Sequence, residues 1–253
     1  MNDTSHEPCM LITGGSRGIG AATAIMAGGR GYQVCINYVS NKEAADHVVS
    51  AIEKAGGKAI AVQGDMAVEA DILRVFDTCE KELGPITALI NNAGVVDQEG
   101  RLEDFAADRV ARIIDLNVTG AILCAREAVR RMATSWGGAG GSIVNISSMA
   151  APLGGPATYV DYAASKGAMD TLTIGLSREV ATDGIRVNGV RPGIIDTDIH
   201  ASGGNPDRAT ALAHTVPMQR AGTAEEVAEA ILWLASDAAS YVTGSSINVS
   251  GGR

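Results

Sequence analysis

The stretch Thr13-Gly14-Gly15-Ser16-Arg17-Gly18-Ile19-Gly20 points most directly to the fold. It follows a short apolar run at residues 9–13 and precedes a longer stretch of helical character at residues 18–30. Glycines permit a sharp turn and let a pyrophosphate approach bare backbone, while the start of a helix supplies free N–H groups and positive potential. The spacing is G-x-x-x-G-x-G, and its position between a strand and a helix predicts a dinucleotide-binding loop.

Outward from this loop, short apolar runs alternate with longer amphipathic stretches. Strands are predicted at residues 9–13, 33–38, 59–64, 88–91, 142–147, 186–190 and 246–249. Helices are predicted at residues 18–30, 41–55, 68–83, 108–132, 162–182 and 224–235. This alternation implies βαβ units, so the predicted fold is α/β, a Rossmann-type doubly wound parallel sheet of about seven strands with helices on both faces.

A single domain is expected over residues 1–253, because no repeat or linker divides the chain. Residues 196–217 do not follow the regular alternation of predicted strands and helices, and they contain Gly203, Gly204 and Pro206. A long connection at this place is typical of a mobile segment over a site. We therefore expect a substrate lid there.

The composition limits the class of partner. The chain has 46% hydrophobic and 4% aromatic residues and 31 glycines, which suits a parallel sheet packed closely against helices. The net charge of −9 disfavours binding to nucleic acid. No apolar run has the length of a membrane span and the first eight residues lack an apolar signal core, so neither a membrane partner nor export is expected.

Four cysteines are spread along the chain, and none has a CxxC partner or a histidine at metal-ligand spacing. They are Cys9, Cys35, Cys79 and Cys124. Cysteines in this arrangement are typical of reduced, mostly buried thiols. We therefore predict a cytoplasmic protein without a metal site.

The end of the second predicted strand bears on which dinucleotide binds. An NAD site usually has Asp or Glu about 20 residues after the glycine loop, whereas a 2′-phosphate requires cations. Residues 36–42 read Ile-Asn-Tyr-Val-Ser-Asn-Lys and contain no carboxylate. Arg17 and Lys42 could pair with the phosphate, and Ser40 and Asn41 could donate hydrogen bonds to it. NADP is therefore the predicted cofactor, with NAD as the alternative if both cations are ordinary surface charges.

Tyr162 and Lys166 are four residues apart, which places them on one face of a predicted helix. A phenol, with an ordinary pKa of about 10, exchanges protons poorly at neutral pH. A nearby ammonium favours the phenolate, so we expect Lys166 to lower the pKa of Tyr162. Tyr162 could then give a proton to a carbonyl oxygen as hydride arrives, or remove one in the reverse reaction.

Further motifs follow in order, and together they resemble the short-chain dehydrogenase/reductase family, of the short single-domain type. They are the glycine loop, Asp65, Asn91-Asn92-Ala93-Gly94, Asn117, Ser147-Ser148, the Tyr162–Lys166 pair and Pro192-Gly193 with Thr197. The resemblance covers essentially residues 9–253. The most similar members are glucose-dehydrogenase-like and 3-oxoacyl-carrier-protein-reductase-like.

The resemblance implies a catalytic set. Tyr162 is the expected acid/base, and Lys166 is expected to lower its pKa and to hold the nicotinamide ribose hydroxyls. Ser148 would donate a hydrogen bond to the substrate oxygen, where charge develops. Asn117 would hold a water that links Lys166 to solvent.

The choice of Ser148 rests on a departure from the family pattern. The family's serine usually lies at the position that Met149 occupies here. We infer one extra residue in the loop at 149–161 and keep Ser147 as the alternative.

The resemblance also implies the cofactor contacts. Asp65 would bind the adenine edge, Asn91 and Gly94 would line the adenosine side, and Ile195 and Thr197 would contact the nicotinamide amide. The predicted cofactor-binding set is Gly14, Ser16, Arg17, Gly18, Ile19, Gly20, Asn37, Tyr38, Ser40, Asp65, Met66, Asn91, Ala93, Gly94, Tyr162, Lys166, Pro192, Gly193, Ile195 and Thr197.

The substrate pocket is expected between residues 149–159 and the lid, with a contribution near residues 94–97. Its predicted apolar walls are Met149, Leu153, Ile199 and Met218. Its candidate polar contacts are Tyr159, Asp198 and His200, of which His200 is also readily explained as a surface residue.

The predicted function is that of an NADP(H)-preferring oxidoreductase that transfers hydride between nicotinamide and a small-molecule carbonyl or alcohol substrate. A 3-oxoacyl thioester and a sugar such as glucose are alternative substrate classes. An NADP-binding sensor or scaffold without turnover remains a further alternative, although relatives of that kind generally lack the tyrosine or the lysine. An epimerase or dehydratase of the extended type would have a longer chain and a different glycine spacing.

Assembly and carrier docking are also suggested by resemblance. The predicted helices at residues 108–132 and 162–182 and the C-terminal residues 247–253 resemble the segments that form the family's homotetramers. Arg131 and Arg178 lie where a carrier protein could dock, or are simply exposed helix charges. A homotetramer is expected.

Overall fold

The computed structural model describes residues 7–253, and a seven-stranded sheet forms its centre. The strands are β1 (Cys9–Ile12), β2 (Gln33–Tyr38), β3 (Ala59–Gln63), β4 (Ile86–Asn91), β5 (Gly141–Ile146), β6 (Ile185–Pro192) and β7 (Ser246–Val249). Their order is β3-β2-β1-β4-β5-β6-β7, and every neighbouring pair is parallel. The predicted fold class is confirmed.

Helices cover both faces of the sheet, as the connections between parallel strands require. They are α1 (Gly18–Gly29), α2 (Lys42–Lys54), α3 (Glu69–Leu83), α4 (Ala107–Ile114), α5 (Ala121–Met132), α6 (Ala150–Leu153), α7 (Val160–Glu179), α8 (Ile199–Ser202), α9 (Arg208–Leu212) and α10 (Ala224–Ala235). The expected lid at residues 196–217 therefore contains two short helices, α8 and α9. The loop at residues 149–161 likewise contains α6.

One predicted helix is not continuous. Between α4 and α5 lies a π-helical turn, Asp115–Gly120. Here the Asn117 side chain binds both backbone groups of Val95, with Oδ1 accepting the N–H at 2.8 Å and Nδ2 donating to the carbonyl at 2.9 Å. A Cβ at Gly120 would lie 2.0 Å from the Met66 carbonyl oxygen, so only glycine fits this close crossing. The helix predicted at residues 162–182 is observed as α7 (Val160–Glu179), which begins two residues earlier and ends three residues earlier than predicted.

The sheet is buried on both faces, which explains the apolar character of its strands. Alternate residues of a strand point to opposite sides. In β1, Met10 and Ile12 pack into the core that includes Ile231 of α10. Leu11 packs into the opposite core with Phe76 of α3. All four cysteines are buried free thiols, as the sequence predicts.

The strand order places the functional site. β1 pairs with β2 on one side and with β4 on the other, so the direction of winding reverses at β1. Ligands of such sheets bind in the crevice outside the carboxyl ends of the strands at this reversal. The glycine loop after β1 and the segment after β4 meet there. Within residues 7–253, no helix has both the length and the apolar character needed to cross a membrane.

Candidate active site

The glycine loop has the backbone shape of an anion cradle. Gly14 and Gly18 have positive φ angles of 62° and 53°, which favour glycine. A Cβ at Gly20 would lie 2.4 Å from the Gly14 carbonyl oxygen. The first turn of α1 contains no acidic residue, and Arg17 provides no side-chain cap. Its N–H groups therefore suit the pyrophosphate of a dinucleotide.

Two asparagines hold this loop in place. Asn37, only 1% exposed, accepts the Gly14 N–H at 3.2 Å and donates to the Gly64 carbonyl at 2.8 Å. Asn92 donates to the Thr13 carbonyl at 2.8 Å. The Asn37 side chain therefore supports the loop from the interior, because a buried amide must find its partners within the chain. Its contact with the cofactor stays a prediction.

Three other predicted cofactor contacts also point into the protein. Asn91 is buried, and its Nδ2 donates to the Ala121 carbonyl at 2.8 Å and to Asn145 Oδ1 at 3.2 Å. The side chains of Tyr38 and Met66 lie in the two hydrophobic cores. The side chains of Asn91, Tyr38 and Met66 therefore support the crevice from the protein interior.

The groups predicted to receive a 2′-phosphate differ in their availability. Lys42 Nζ is paired with Asp46 at 2.6 Å, and Asn41 accepts the Ala44 N–H at 3.0 Å as the cap of α2. Ser40 and Arg17 are exposed. Arg17 makes no ion pair with any residue in the described part of the chain.

Asp65, predicted to bind the adenine edge, accepts the Ala67 N–H through Oδ1 at 2.9 Å. Ala93 N–H and Asn92 N–H both bind Thr13 Oγ1 at 3.0 Å, which ties the segment after β4 to the glycine loop. Thr197 packs closely against the glycine loop. A Cβ added at Gly18 would lie only 3.4 Å from the Thr197 Cβ and Cγ2.

The predicted catalytic residues converge at the start of α7. Lys166 Nζ lies 5.6 Å from the ring centroid of Tyr162 and donates to the Ile146 carbonyl at 2.7 Å. A Cβ at Gly94 would lie 3.4 Å from Lys166 Nζ and 3.3 Å from Asn117 Oδ1. Asn117 also donates to Ser165 Oγ at 3.1 Å. The bare backbone at Gly94 thus keeps open the space beside the lysine.

Burial dominates the proton affinities of this pair. It raises the pKa of Tyr162 to about 12, although a hydrogen bond from Ser148 partly opposes the shift. Burial lowers the pKa of Lys166 to about 8, against the attraction of Asp170. The lowered pKa that the sequence predicts for Tyr162 is therefore wrong for the chain by itself, because desolvation of the phenolate outweighs any help from the nearby ammonium.

The two serines after β5 have different partners. Ser147 is buried and donates to the Lys166 carbonyl at 3.0 Å. The Ser148 hydroxyl faces Tyr162, whose pKa it lowers, and accepts the Ala150 N–H at 3.0 Å. The longer loop that follows forms α6 and includes Ala157 in a left-handed conformation, with φ of 56°.

A cavity of about 510 Å³ opens above these groups. Its lining contains these predicted residues: Ile19, Gly94, Ser148, Met149, Leu153, Tyr159, Tyr162, Lys166, Pro192, Gly193, Ile195, Thr197 and Ile199. The predicted residues Asp65 and Asn117 are not among the lining residues. Of the other candidates for the pocket, Met218 and Asp198 are not lining residues, and the side chain of His200 lies outside what the structure describes, as do residues 1–6. The cavity is also lined by Asn92, Glu99 and Arg208, to which the sequence motifs assign no role in the site.

Arg131, considered above for carrier docking, has internal partners. It pairs with Asp77 and Glu127 at 2.6 Å each and with Glu80 at 3.0 Å. A guanidinium held by three carboxylates has little charge left to attract an acidic carrier protein. This arrangement disfavours the carrier-protein substrate class, whereas Arg178 is exposed.

Comparison with known proteins agrees with this geometry. The family model described as Enoyl-(Acyl carrier protein) reductase matches residues 14–253. The chain is 54% identical over 243 residues to Uncharacterized oxidoreductase YgfF of Escherichia coli (strain K12), covering 96% of this chain and 98% of that protein. It is 38% identical over 258 residues to 3beta-hydroxysteroid dehydrogenase 1 of Eggerthella lenta, covering 100% of this chain and 95% of that protein.

A solved structure gives the same result at the level of the fold. A short-chain type dehydrogenase/reductase from Mycobacterium marinum superposes with a TM-score of 0.90 at 34% identity, covering 97% of this chain and 94% of that one. The chain belongs to the short-chain dehydrogenase/reductase family of NAD(P)-using oxidoreductases.

Proposed function

We propose that this protein is an NADP(H)-preferring carbonyl reductase or alcohol dehydrogenase in which Tyr162 exchanges the proton. The observation that carries the proposal is the convergence of Ser148, Tyr162 and Lys166 in one cavity beside the glycine loop. A dinucleotide cradle next to a partly buried proton donor suits hydride transfer to or from a carbonyl carbon.

Each side chain has a distinct task in this proposal. When bound, the nicotinamide supplies or accepts the hydride. Tyr162, protonated at neutral pH, gives its proton to the carbonyl oxygen, and Ser148 donates a hydrogen bond that stabilises the charge developing there. Lys166 binds the ribose hydroxyls and supplies positive charge beside the phenol. Asn117 holds the Val95 backbone beside Gly94. The open space at Gly94 accommodates a water that Asn117 holds and that passes protons between Lys166 and solvent.

The preference for NADP rests on charge at the end of β2. No carboxylate stands there to repel a 2′-phosphate, and Arg17 offers an exposed guanidinium without an ion pair in the described chain. Lys42 can contribute only in competition with Asp46. Arg17 is therefore the principal phosphate ligand in this proposal, with hydrogen bonds from Ser40.

The substrate we propose is a small molecule with a ketone or a secondary alcohol. The similarity to a protein named as a hydroxysteroid dehydrogenase and the apolar wall formed by Met149, Leu153 and Ile199 both support this class. We also propose that α8 and α9 act as the substrate lid. The four buried thiols support a cytoplasmic location.

A homotetramer is the proposed assembly. Exposed apolar side chains lie on the helices that resemble the family's contact surfaces, Ile122 on α5 and Ile174 on α7. Trp233 is exposed on α10. Apolar surface of this kind favours association between copies.

The test measures oxidation of NADPH and NADH by wild type, Tyr162→Phe and Arg17→Ala over a panel of diketones, sugars, steroids and acetoacetyl thioesters. Tyr162→Phe should keep cofactor affinity and lose at least about 100-fold in kcat. Arg17→Ala should weaken NADPH binding at least about tenfold and leave NADH binding nearly unchanged. Retained turnover in Tyr162→Phe would assign the proton to another residue, and equal effects on both cofactors would remove the case for NADP.

A further inference from the structure

The cavity wall contains a polar group that the proposed chemistry does not use. It is formed by Glu99, Tyr159 and Arg208, called here the polar triad. Tyr159 donates to Glu99 Oε1 at 3.2 Å, and Arg208 Nη1 donates to the same oxygen. The Arg208 guanidinium lies over the Tyr159 ring, 5.0 Å from its centroid. The triad thus joins the segment after β4, the loop before α7 and α9 of the proposed lid.

The triad lies next to the reacting groups. The ring of Tyr159 meets the ring of Tyr162 edge to face, with 6.3 Å between the centroids. Tyr159 is 7% exposed and the Arg208 side chain 15% exposed. The cavity therefore has room for a substrate whose carbonyl reaches Tyr162 and Ser148 to place its other end near Glu99 and Arg208.

Part of the hydrogen-bonding capacity of the triad is unused. Both bonds to Glu99 end on Oε1, and no residue in the described ranges donates to Oε2. Arg208 likewise uses only Nη1 in the bonds found among residues 7–253. A carboxylate oxygen and guanidinium N–H groups are thus available side by side, one to accept and the others to donate.

The charges select the kind of group that fits. Glu99 and Arg208 neutralise each other, so a substrate carboxylate would meet the repulsion of Glu99 and an ammonium that of Arg208. The remaining cations of the cavity lie elsewhere, Lys166 beside Tyr162 and Arg253 exposed to solvent, where its charge is screened. A neutral hydroxyl can donate to Glu99 and accept from Arg208 at once.

We propose that the polar triad selects carbonyl substrates that carry a neutral hydroxyl group at the end remote from the carbonyl. This proposal rests on the proposed function, because it specifies the substrate of the same site. It makes Glu99 and Arg208 specificity-determining residues.

The experiment compares matched ketones with purified enzyme and NADPH. The series is cyclohexanone with a hydroxyalkyl, an alkyl or a carboxyalkyl arm at position 4, each with a short and a longer arm. Wild type should reduce the better hydroxyalkyl ketone with kcat/KM about tenfold above its alkyl and carboxyalkyl counterparts, the value of one well-made hydrogen bond. If wild type reduces these ketones but prefers the carboxyalkyl compounds, or shows equal kcat/KM for all three kinds, the proposal is overturned.

Two variants test the charge argument, because each removes one charge of the Glu99–Arg208 ion pair. Glu99→Gln leaves the Arg208 cation uncompensated, so kcat/KM for the carboxyalkyl ketones should rise at least about tenfold while the hydroxyl preference shrinks. Arg208→Met should remove the hydroxyl preference without any gain for the carboxyalkyl ketones. The control is Glu229→Gln, which breaks the ion pair with Arg30 outside the cavity. Equal selectivity in Glu99→Gln and Glu229→Gln contradicts the assignment.

A binding measurement separates this proposal from the proposed function. Calorimetry with NADPH-loaded Tyr162→Phe and the same ketones reports recognition without turnover. Hydroxyl-selective binding that Glu99→Gln weakens supports the triad even if wild type reduces none of the ketones. The lack of turnover would then count against the proposed function alone. Unselective binding together with turnover of the ketones contradicts the triad alone.

Discussion

At the scale of the residue, burial shifts the pKa values of Tyr162 and Lys166 in opposite directions. Desolvation favours the neutral form of each group, so the pKa of the phenol rises and that of the ammonium falls. The chain by itself therefore keeps Tyr162 protonated at neutral pH. The proton is present in this form, but the raised pKa makes Tyr162 a weaker acid than an ordinary phenol.

The depressed pKa of Lys166 has a consequence for stability. Its pKa is about 8 in the folded chain against 10.5 for the ordinary group, so between these pH values the folded state holds fewer protons than the unfolded state. The contribution of Lys166 to the free energy of unfolding therefore rises with pH across this window. Relative to Lys166→Met, wild type should gain about 2–3 kcal/mol between pH 7 and pH 10.

Denaturant titrations of both proteins at several pH values provide the measurement. Taking the difference between them removes the contributions of groups that both proteins share, including the thiols. A difference that stays constant over this range would show that Lys166 keeps an ordinary pKa.

At the scale of the element, the start of α7 is held by a buried ion pair. Arg109 of α4 contacts both carboxylate oxygens of Asp161, at 2.7 Å and 3.2 Å. Asp161 Oδ1 also accepts the N–H of Tyr162 at 2.9 Å. Arg109 stacks on Phe105, with its guanidinium carbon 3.5 Å from the ring centroid. These contacts fix the turn of α7 that carries the proposed acid.

Arg109→Ala should therefore destabilise the protein strongly. The Asp161 side chain is only 3% exposed, and leaving such a carboxylate without its partner costs about 3–5 kcal/mol. Thermal and denaturant unfolding measure the loss. Arg112→Ala, on the same helix, is the matched control, because Arg112 is 58% exposed and pairs with Asp97 at the surface, where such pairs are worth about 0–1 kcal/mol. Similar losses in the two variants would contradict a structural role for the buried pair.

At the scale of the whole molecule, the buried sheet protects the thiols. Cys9 and Cys79 lie in one core with their sulfur atoms 3.6 Å apart. Hydrogen bonding between the two thiols and burial raise the pKa of Cys9, and a hydrogen bond with Cys35 and burial raise that of Cys79. Burial raises the pKa of Cys124 to about 12. These thiols therefore remain protonated at neutral pH and are poor nucleophiles.

Ellman's reagent should accordingly label the native protein much more slowly than the unfolded protein. We expect at least about a 100-fold difference in rate at pH 8, because the reaction needs an exposed thiolate. All four thiols should react in guanidinium chloride. Rapid labelling of the native protein would show that the core opens readily around β1 and α3.

Much of this molecule follows from local patterns in its sequence. The strands and the glycine loop depend on residues close together in the chain, because apolar runs, glycine spacing and helix periodicity act over one or two turns. For the same reason the spacing of Tyr162 and Lys166 predicts that they share a helical face. The order of motifs also suffices to assign the family.

Only the tertiary structure decided which of these polar residues face the crevice. Asn37 and Asn91 carry the same amide as Asn92, yet they bind the interior while Asn92 lines the cavity, because the sheet buries one side of each strand end. The π-helical turn at Asn117 and the approach of Arg208 to Glu99 depend on contacts between distant segments. The raised pKa of Tyr162 likewise comes from burial, a property of the packed molecule that no local pattern contains.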